Sequence, residues 1–278
     1  MASKEATTFW DHLEELRSVL FRVAGVVVVL GVASFCLVPW LFEHFVMAPA
    51  NPDFITYRLI DRIAGLSGAV FDSDMSVNIV SLELTSQFFV HMSAACWFAF
   101  LVGFPIILYL LWGFVAPALY EHEKKGARIA FLFGNVMFYL GASVGYFIVF
   151  PIAMRFLAGY SLSNSITPMI SLESYMDNFF TLLLLMGAVF ELPLLAWILG
   201  KIGLLTKGFF SKYRRHAIVV LLIVAALITP TGDPFTLLIV FVPIYALWEG
   251  SALLVPATKP EPDYDESDTD DTDDSQEA

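Results

Sequence analysis

Six apolar stretches, separated by short polar segments, set the layout of the chain. They cover about residues 23–42, 88–115, 129–150, 179–199, 217–228 and 235–254. Crossing about 30 Å of hydrocarbon takes roughly 20 apolar residues in a helix. Four of the stretches reach that length comfortably, and the last two are shorter. The fifth holds about a dozen apolar residues, so it spans only by thinning the bilayer or borrowing its flanks. Thr229-Pro230-Thr231-Gly232-Asp233-Pro234 joins it to the sixth as a tight helical hairpin. The pattern predicts an all-α integral membrane protein with six transmembrane helices, the last two short.

Ahead of the first span, a 3.6-residue period puts Phe9, Leu13, Leu16 and Leu20 on one stripe, with Asp11, Glu15, Ser18 and Arg22 opposite. Thr8 followed by Asp11 fits a capping box, so an amphipathic helix is expected from there, lying on or entering the membrane surface. Acidic Asp11, Glu14 and Glu15, and a run of about 20 apolar residues, argue that the first stretch is a retained span rather than a cleaved leader. Between residues 43 and 87 lies one sizeable extramembrane loop, in which residues 55–66 read as a short surface helix.

Charge gives the orientation. Twelve of the fifteen bases fall on alternate polar segments: Lys4, Arg17 and Arg22; Lys124, Lys125 and Arg128; Lys201, Lys207, Lys212, Arg214 and Arg215; and Lys259. The intervening segments hold only Arg58, Arg62 and Arg155. By the positive-inside rule both termini are cytoplasmic, which an even span number requires, and the protein is expected in the cell membrane. Composition agrees: 58% of the 278 residues are hydrophobic and only 15% charged, against roughly 25% charged in soluble domains. A net charge of −12 opposes nucleic-acid binding. Much of it sits in residues 256–278, where ten acids face one base; that stretch reads as a solvated, disordered acidic tail suited to a high-salt cytoplasm, leaving 1–255 as the membrane domain. Cys36 and Cys96 lie in apolar stretches and read as small core hydrophobes.

Three places could carry recognition. Glu15 and its neighbours sit where an anionic leaflet would repel them; a wetted helix face explains them, but their sign suits a cationic protein ligand better. Glu121 and Glu123 follow Pro117 at the end of the second span, beside Lys124 and Lys125, where acids balancing lipid-anchoring bases are the simpler account. Phe114, one turn inside that end, fits an interface anchor. Glu191 is flanked on both sides by apolar residues, and a charged acid at a helix centre costs roughly 2.5–3.5 kcal/mol on insertion scales. A structural hydrogen bond, a proton path and a partner contact all remain open for it. Pro193, two residues on, removes a backbone donor and opens the helix. His91 and Asn135 read as interhelical hydrogen-bonding groups, and Gly141-Ala142-Ser143-Val144-Gly145 as a close-packing face. No nucleotide loop, metal-protease motif, nucleophile elbow or intramembrane Ser/His pair occurs. No catalytic residue, metal or cofactor is therefore expected, and the protein reads as a non-enzyme.

Several separated motifs resemble the TatC family, the multispanning receptor subunit of the twin-arginine protein translocase. They are His12-Leu13-Glu14-Glu15-Leu16-Arg17, Ala48-Pro49, the run from Trp112 through Pro117 to Glu123, Phe150-Pro151, Phe190-Glu191-Leu192-Pro193, and Thr229-Pro230 through Asp233. The resemblance spans about residues 8–255. It implies that Glu15 and Glu123, with Glu121 extending the negative patch, receive the Arg-Arg pair of a folded cargo's signal peptide, that Arg17 orders the patch, and that Phe114 meets the apolar part of the signal. It implies that Glu191 faces a single-span partner or the signal's hydrophobic stretch, and that Pro49, Pro117, Pro193 and Asp233 shape the loops and breaks. Implied partners are TatA-type and TatB-type single-span subunits, further copies of this chain and membrane lipid, with export driven by the proton-motive force. Departures are the acidic Glu121 where a base is common, the extra residue in Thr231-Gly232, Leu237 at a frequently polar position, and the long first outer loop. A proton-coupled small-solute transporter using Glu191 is the competing reading; it predicts inverted repeats, which the sequence lacks.

Overall fold

The computed structural model describes residues 9–67, 78–115, 121–160, 163, 169–201, 204–229 and 232–255, with the backbone alone for 9–13, 63–67, 115, 121–128 and 130. Thr8, Pro117, Pro230, Thr231 and the acidic tail 256–278 lie outside the described residues.

Helix α1 (Phe9–Leu41) is one rod of 33 residues. At 1.5 Å per residue it measures roughly 50 Å, well beyond the hydrocarbon thickness. The amphipathic segment and the first span are thus continuous. Leu16 and Leu20 of the apolar stripe are 43% and 66% exposed, whereas Val19 is buried and faces protein. A π turn (Phe42–Val46) and a 3₁₀ turn (Ala48–Ala50) lead into α2 (Ile55–Ser67). Then come α3 (Ser86–Val115), α4 (Glu121–Val144), a second π turn (Gly145–Val149) and α5 (Phe150–Gly159). Next, α6 (Leu172–Val189) and α7 (Leu192–Lys201) form one bent unit. The chain continues through α8 (Lys207–Lys212), α9 (Arg214–Ile228) and α10 (Pro234–Leu254).

The architecture is all-α, as the apolar pattern predicts. Among the described residues, five segments are long and apolar enough to cross a membrane: those containing α1, α3, the α4–α5 unit, the α6–α7 unit and α10. The fifth predicted stretch is helix α9, whose 15 residues reach only about 22 Å. One feature lay outside the sequence reading. β1 (Ile79–Val80) pairs in parallel with β2 (Ile170–Ser171), tying the loop before α3 to the one before α6.

Two antiparallel helix pairs build the frame. α1 packs on α3, with Gly103 against Leu30, Gly31 against Ala99 and Phe35 stacked on His91 at 4.1 Å. α4 packs on α6 through the predicted small-residue face: a Cβ at Gly141 would lie 2.5 Å from the Met186 carbonyl oxygen, and one at Gly145 3.2 Å from that of Leu182. Only glycine lets the backbones come this close. α10 then leans on α7 and α9. The buried core gathers around Phe150, Tyr175, Phe179, Leu182, Met186, Val240 and Ile244. Cys36 and Cys96 are exposed on the lipid-facing sides of α1 and α3, not in the core.

Candidate functional site

The antiparallel α1–α3 register carries the first turns of α1 and the last turn of α3 to one end of the bundle, and α4 begins there a few residues later. Glu14, Glu15, Leu16, Arg17 and Ser18 form an exposed strip on α1. The Arg17 guanidinium lies 5.5 Å from the centre of the Phe21 ring one turn on, which turns it along the helix. Phe114 is half-buried in the last turn of α3. Trp112 meets Phe131 edge-on at 5.0 Å and so fastens that turn to α4. Glu121 and Glu123 occupy the first turn of α4, where the partial positive charge of a helix start favours carboxylates. Three helix ends thus bring Glu15, Arg17, Phe114, Glu121 and Glu123 to the same end. Of the predicted positions there, Pro117 lies outside the described residues.

Glu191 belongs to a separate place. Helix α6 ends at Val189, Phe190 and Glu191 form a turn, and α7 restarts at Leu192. The break follows from Pro193, which has no N–H to return to the Val189 carbonyl. The helical ladder resumes when Leu195 N–H donates to the Glu191 carbonyl at 3.0 Å. The Glu191 side chain is half-buried at the rim of a groove of about 440 Å³ walled by Trp97, Phe100 and Phe104 of α3, Phe138 of α4 and residues of α6. Phe104 and Phe138 stack at 3.6 Å across its floor. Thr181 is the other polar side chain of the lining. A Cβ at Gly134 would lie 3.0 Å from Glu191 Oε2 and 2.9 Å from Leu194, so the glycine makes room for the carboxylate. Glu191 Oε1 is buried without a hydrogen-bond partner among the described residues. An acceptor left open in an apolar groove can receive a donor from an incoming helix.

The remaining predicted positions do structural work. Asp233 caps α10 by accepting from Thr236 N–H at 2.7 Å, with Gly232 at φ +60° just before it, a conformation that suits glycine. Pro49 is buried and its carbonyl accepts from the Tyr57 hydroxyl at 2.8 Å. His91 does reach across helices, to the Phe35 carbonyl at 2.8 Å. Asn135 does not: its amide donates to Phe131, one turn back on its own helix. Two charged residues sit differently from what the sequence alone suggests or were not singled out by it. Arg155 is buried under the Tyr57 ring at 4.1 Å instead of extending from a loop into water. Glu249 accepts from Arg214 at 2.7 Å and from the Tyr245 hydroxyl at 2.8 Å. Its signal was available, since it is a lone acid inside the last apolar run.

Comparison with known proteins places the fold. The family model described as Sec-independent protein translocase protein (TatC) matches residues 11–243. A Sec-independent protein translocase protein TatC from Blattabacterium sp. is 31% identical over 252 residues, covering 89% of this chain and 94% of the relative. Its counterpart in Helicobacter pylori strain 26695 is 37% identical over 256 residues, covering 92% and 90%. Among solved structures, the crystal structure of a twin arginine translocase receptor, TatC, in DDM superposes with a TM-score of 0.70 at 28% identity, covering 87% of this chain and 98% of that one.

Proposed function

The chain belongs to the TatC family of Sec-independent protein translocase proteins, as a multi-pass membrane protein of that system, and we propose that it is the receptor that captures twin-arginine signal peptides at its cytoplasmic end. Glu15 and Glu123 receive the two guanidiniums, Glu121 adds negative potential, Arg17 orders the strip and Phe114 contacts the apolar part of the signal. The chemistry explains why the tag carries Arg and not Lys. A guanidinium offers a planar fork of donors that matches a carboxylate two-to-two, while an ammonium is a strongly hydrated point charge. The carrying observation is the antiparallel α1–α3 register, which brings Glu15 and the start of α4 to one end of the bundle.

In this reading both termini face the cytoplasm and α9 is a sixth, short span within the 1–255 membrane domain. The Glu191 groove accepts a transmembrane segment, either the signal's hydrophobic stretch or a single-span subunit of TatA or TatB type. Working as several copies in a complex, the protein couples export of folded cargo to the proton-motive force and carries out no bond-making chemistry of its own. Site-specific photocrosslinking tests the receptor assignment. A twin-Arg signal peptide should label membranes containing the full chain, its Lys-Lys counterpart should label weakly, and Glu15→Ala or Glu123→Ala should each reduce the twin-Arg signal. Equal labelling by both peptides rules against the recognition chemistry.

A further inference from the structure

Proline deletes the backbone donor that would satisfy the carbonyl four residues earlier, and inside a membrane that carbonyl has no water to turn to. Among the described residues, Pro39, Pro105, Pro151, Pro193 and Pro243 leave such a carbonyl, and at three of them, Pro39, Pro105 and Pro151, it is met by a side chain from another part of the fold. Pro39 frees the Phe35 carbonyl, which accepts from His91 Nε2 at 2.8 Å. Where the first π turn gives way to the 3₁₀ turn that carries Pro49, the Phe45 carbonyl accepts from the Tyr146 hydroxyl at 3.0 Å. Pro105 frees that of Leu101, which accepts from the Tyr139 hydroxyl at 2.8 Å. Pro151 frees that of Phe147, which accepts from the Thr56 hydroxyl. Other long-range side-chain donations to backbone carbonyls end on Val46 and Pro151. The physical reason is that a helical carbonyl already holding its own N–H is a poor target, and one without it is the acceptor that needs a donor.

We infer that His91, Tyr139 and Thr56 are positioning residues, each replacing the hydrogen bond a proline has removed, and that with Tyr146, which serves the Phe45 carbonyl at the break before Pro49, they fix where the kinked elements meet. The links run α3 to α1 through His91, α4 to α3 through Tyr139, the second π turn to the first through Tyr146, and α2 to the second π turn through Thr56. A carbonyl only accepts, so His91 donates from Nε2–H. Tyr139 has the most direct bearing on the groove. Its neighbour Phe138 and the Leu101 flanks Phe100 and Phe104 all line it, so the Tyr139–Leu101 bond sets the α3–α4 spacing on which the Glu191 groove depends.

The test is a double-mutant cycle on the full chain, unfolded at equilibrium in mixed micelles by sodium dodecyl sulfate. Interhelical hydrogen bonds in membranes are worth roughly 0.6–1.7 kcal/mol, which at about 1.4 kcal/mol per tenfold is a loss of roughly 3- to 20-fold in the folded-to-unfolded ratio. Tyr139→Phe should show that loss in the native background and less than about a twofold loss (0.4 kcal/mol by the same conversion) in a Pro105→Ala background, where the backbone N–H restored at position 105 serves the Leu101 carbonyl. Transport lost in Tyr139→Phe should return in the double variant. His91→Leu with Pro39→Ala should behave alike, and Thr56→Ser should retain what Thr56→Val loses. Should Pro105→Ala fail to fold, a carbon-13 carbonyl label at Leu101 in the otherwise native chain gives an independent reading, its amide I band moving to higher frequency in Tyr139→Phe. Equal losses in both backgrounds, or an unmoved Leu101 band, overturn the inference.

Discussion

Gly141→Ala isolates the contact that fixes the walls of the Glu191 groove. A Cβ at Gly141 would sit 2.5 Å from the Met186 carbonyl oxygen and 2.7 Å from Phe190 Cβ and Cγ. The first obstacle is backbone, which has no rotamer to change, so α4 and α6 must separate by most of an ångström. That separation also loosens Gly145, whose Cβ position is 3.2 Å from the Leu182 carbonyl and the Leu183 Cα. Overpacking of this kind costs about 1–3 kcal/mol, against a gain of up to about 1 kcal/mol from replacing a helical glycine by alanine. The packing cost alone corresponds to roughly a 5- to 150-fold fall in the folded-to-unfolded ratio. Gly25→Ala is the control: nothing lies within 4 Å of its Cβ position, so it should be neutral or slightly stabilising. Equilibrium unfolding in mixed micelles reads both. Gly141→Ala as stable as the native chain, or no less stable than Gly25→Ala, refutes the close α4–α6 approach.

Three further outcomes follow from the geometry. Asp233→Ala removes the cap on α10 and should cost about 0.5–2 kcal/mol in the same assay, most of it restored by Asp233→Asn. Arg214→Ala breaks a partly exposed pair with Glu249 and should cost only roughly 0.2–1 kcal/mol, less as salt rises, whereas a larger, salt-independent loss contradicts the assignment. Glu191→Leu should abolish crosslinks from the groove to a single-span partner while Glu191→Gln, which keeps the size and the hydrogen-bonding capacity, retains them; crosslink yields indifferent to both changes remove Glu191 from partner contact.

The spans were legible because bilayer thickness imposes length and hydrophobicity on them regardless of packing. Which side of a span meets protein was not. Lipid tails are as apolar as leucine, so Cys36 and Cys96, exposed on α1 and α3, looked the same as core residues. The break at Phe190–Glu191 could be anticipated from Pro193, but the two π turns and the two-residue β1–β2 pairing have no periodic signature to find. Asn135 illustrates a different limit: composition gives a side chain's bonding capacity, and the nearest acceptor turned out to be Phe131 on its own helix. The prolines Pro39, Pro105 and Pro151 were visible, yet the donors that answer the carbonyls they free are 56, 38 and 91 residues from those carbonyls in sequence, joined only by the fold. At the candidate receptor end, Glu15, Phe114 and Glu123 were nameable from motifs, and their common placement needed the helix register.

Binding of a fluorescent twin-Arg signal peptide to the full chain in lipid nanodiscs, followed by anisotropy across a salt series, tests recognition most directly. Tight binding is predicted for the native chain, weakened by each of Glu15→Gln and Glu123→Gln, by less than the product of the two in the double variant, and flattened in its salt dependence. Affinity and salt slope unchanged in the double variant, or equal for an Arg-Arg and a Lys-Lys peptide, contradict carboxylate capture of paired guanidiniums.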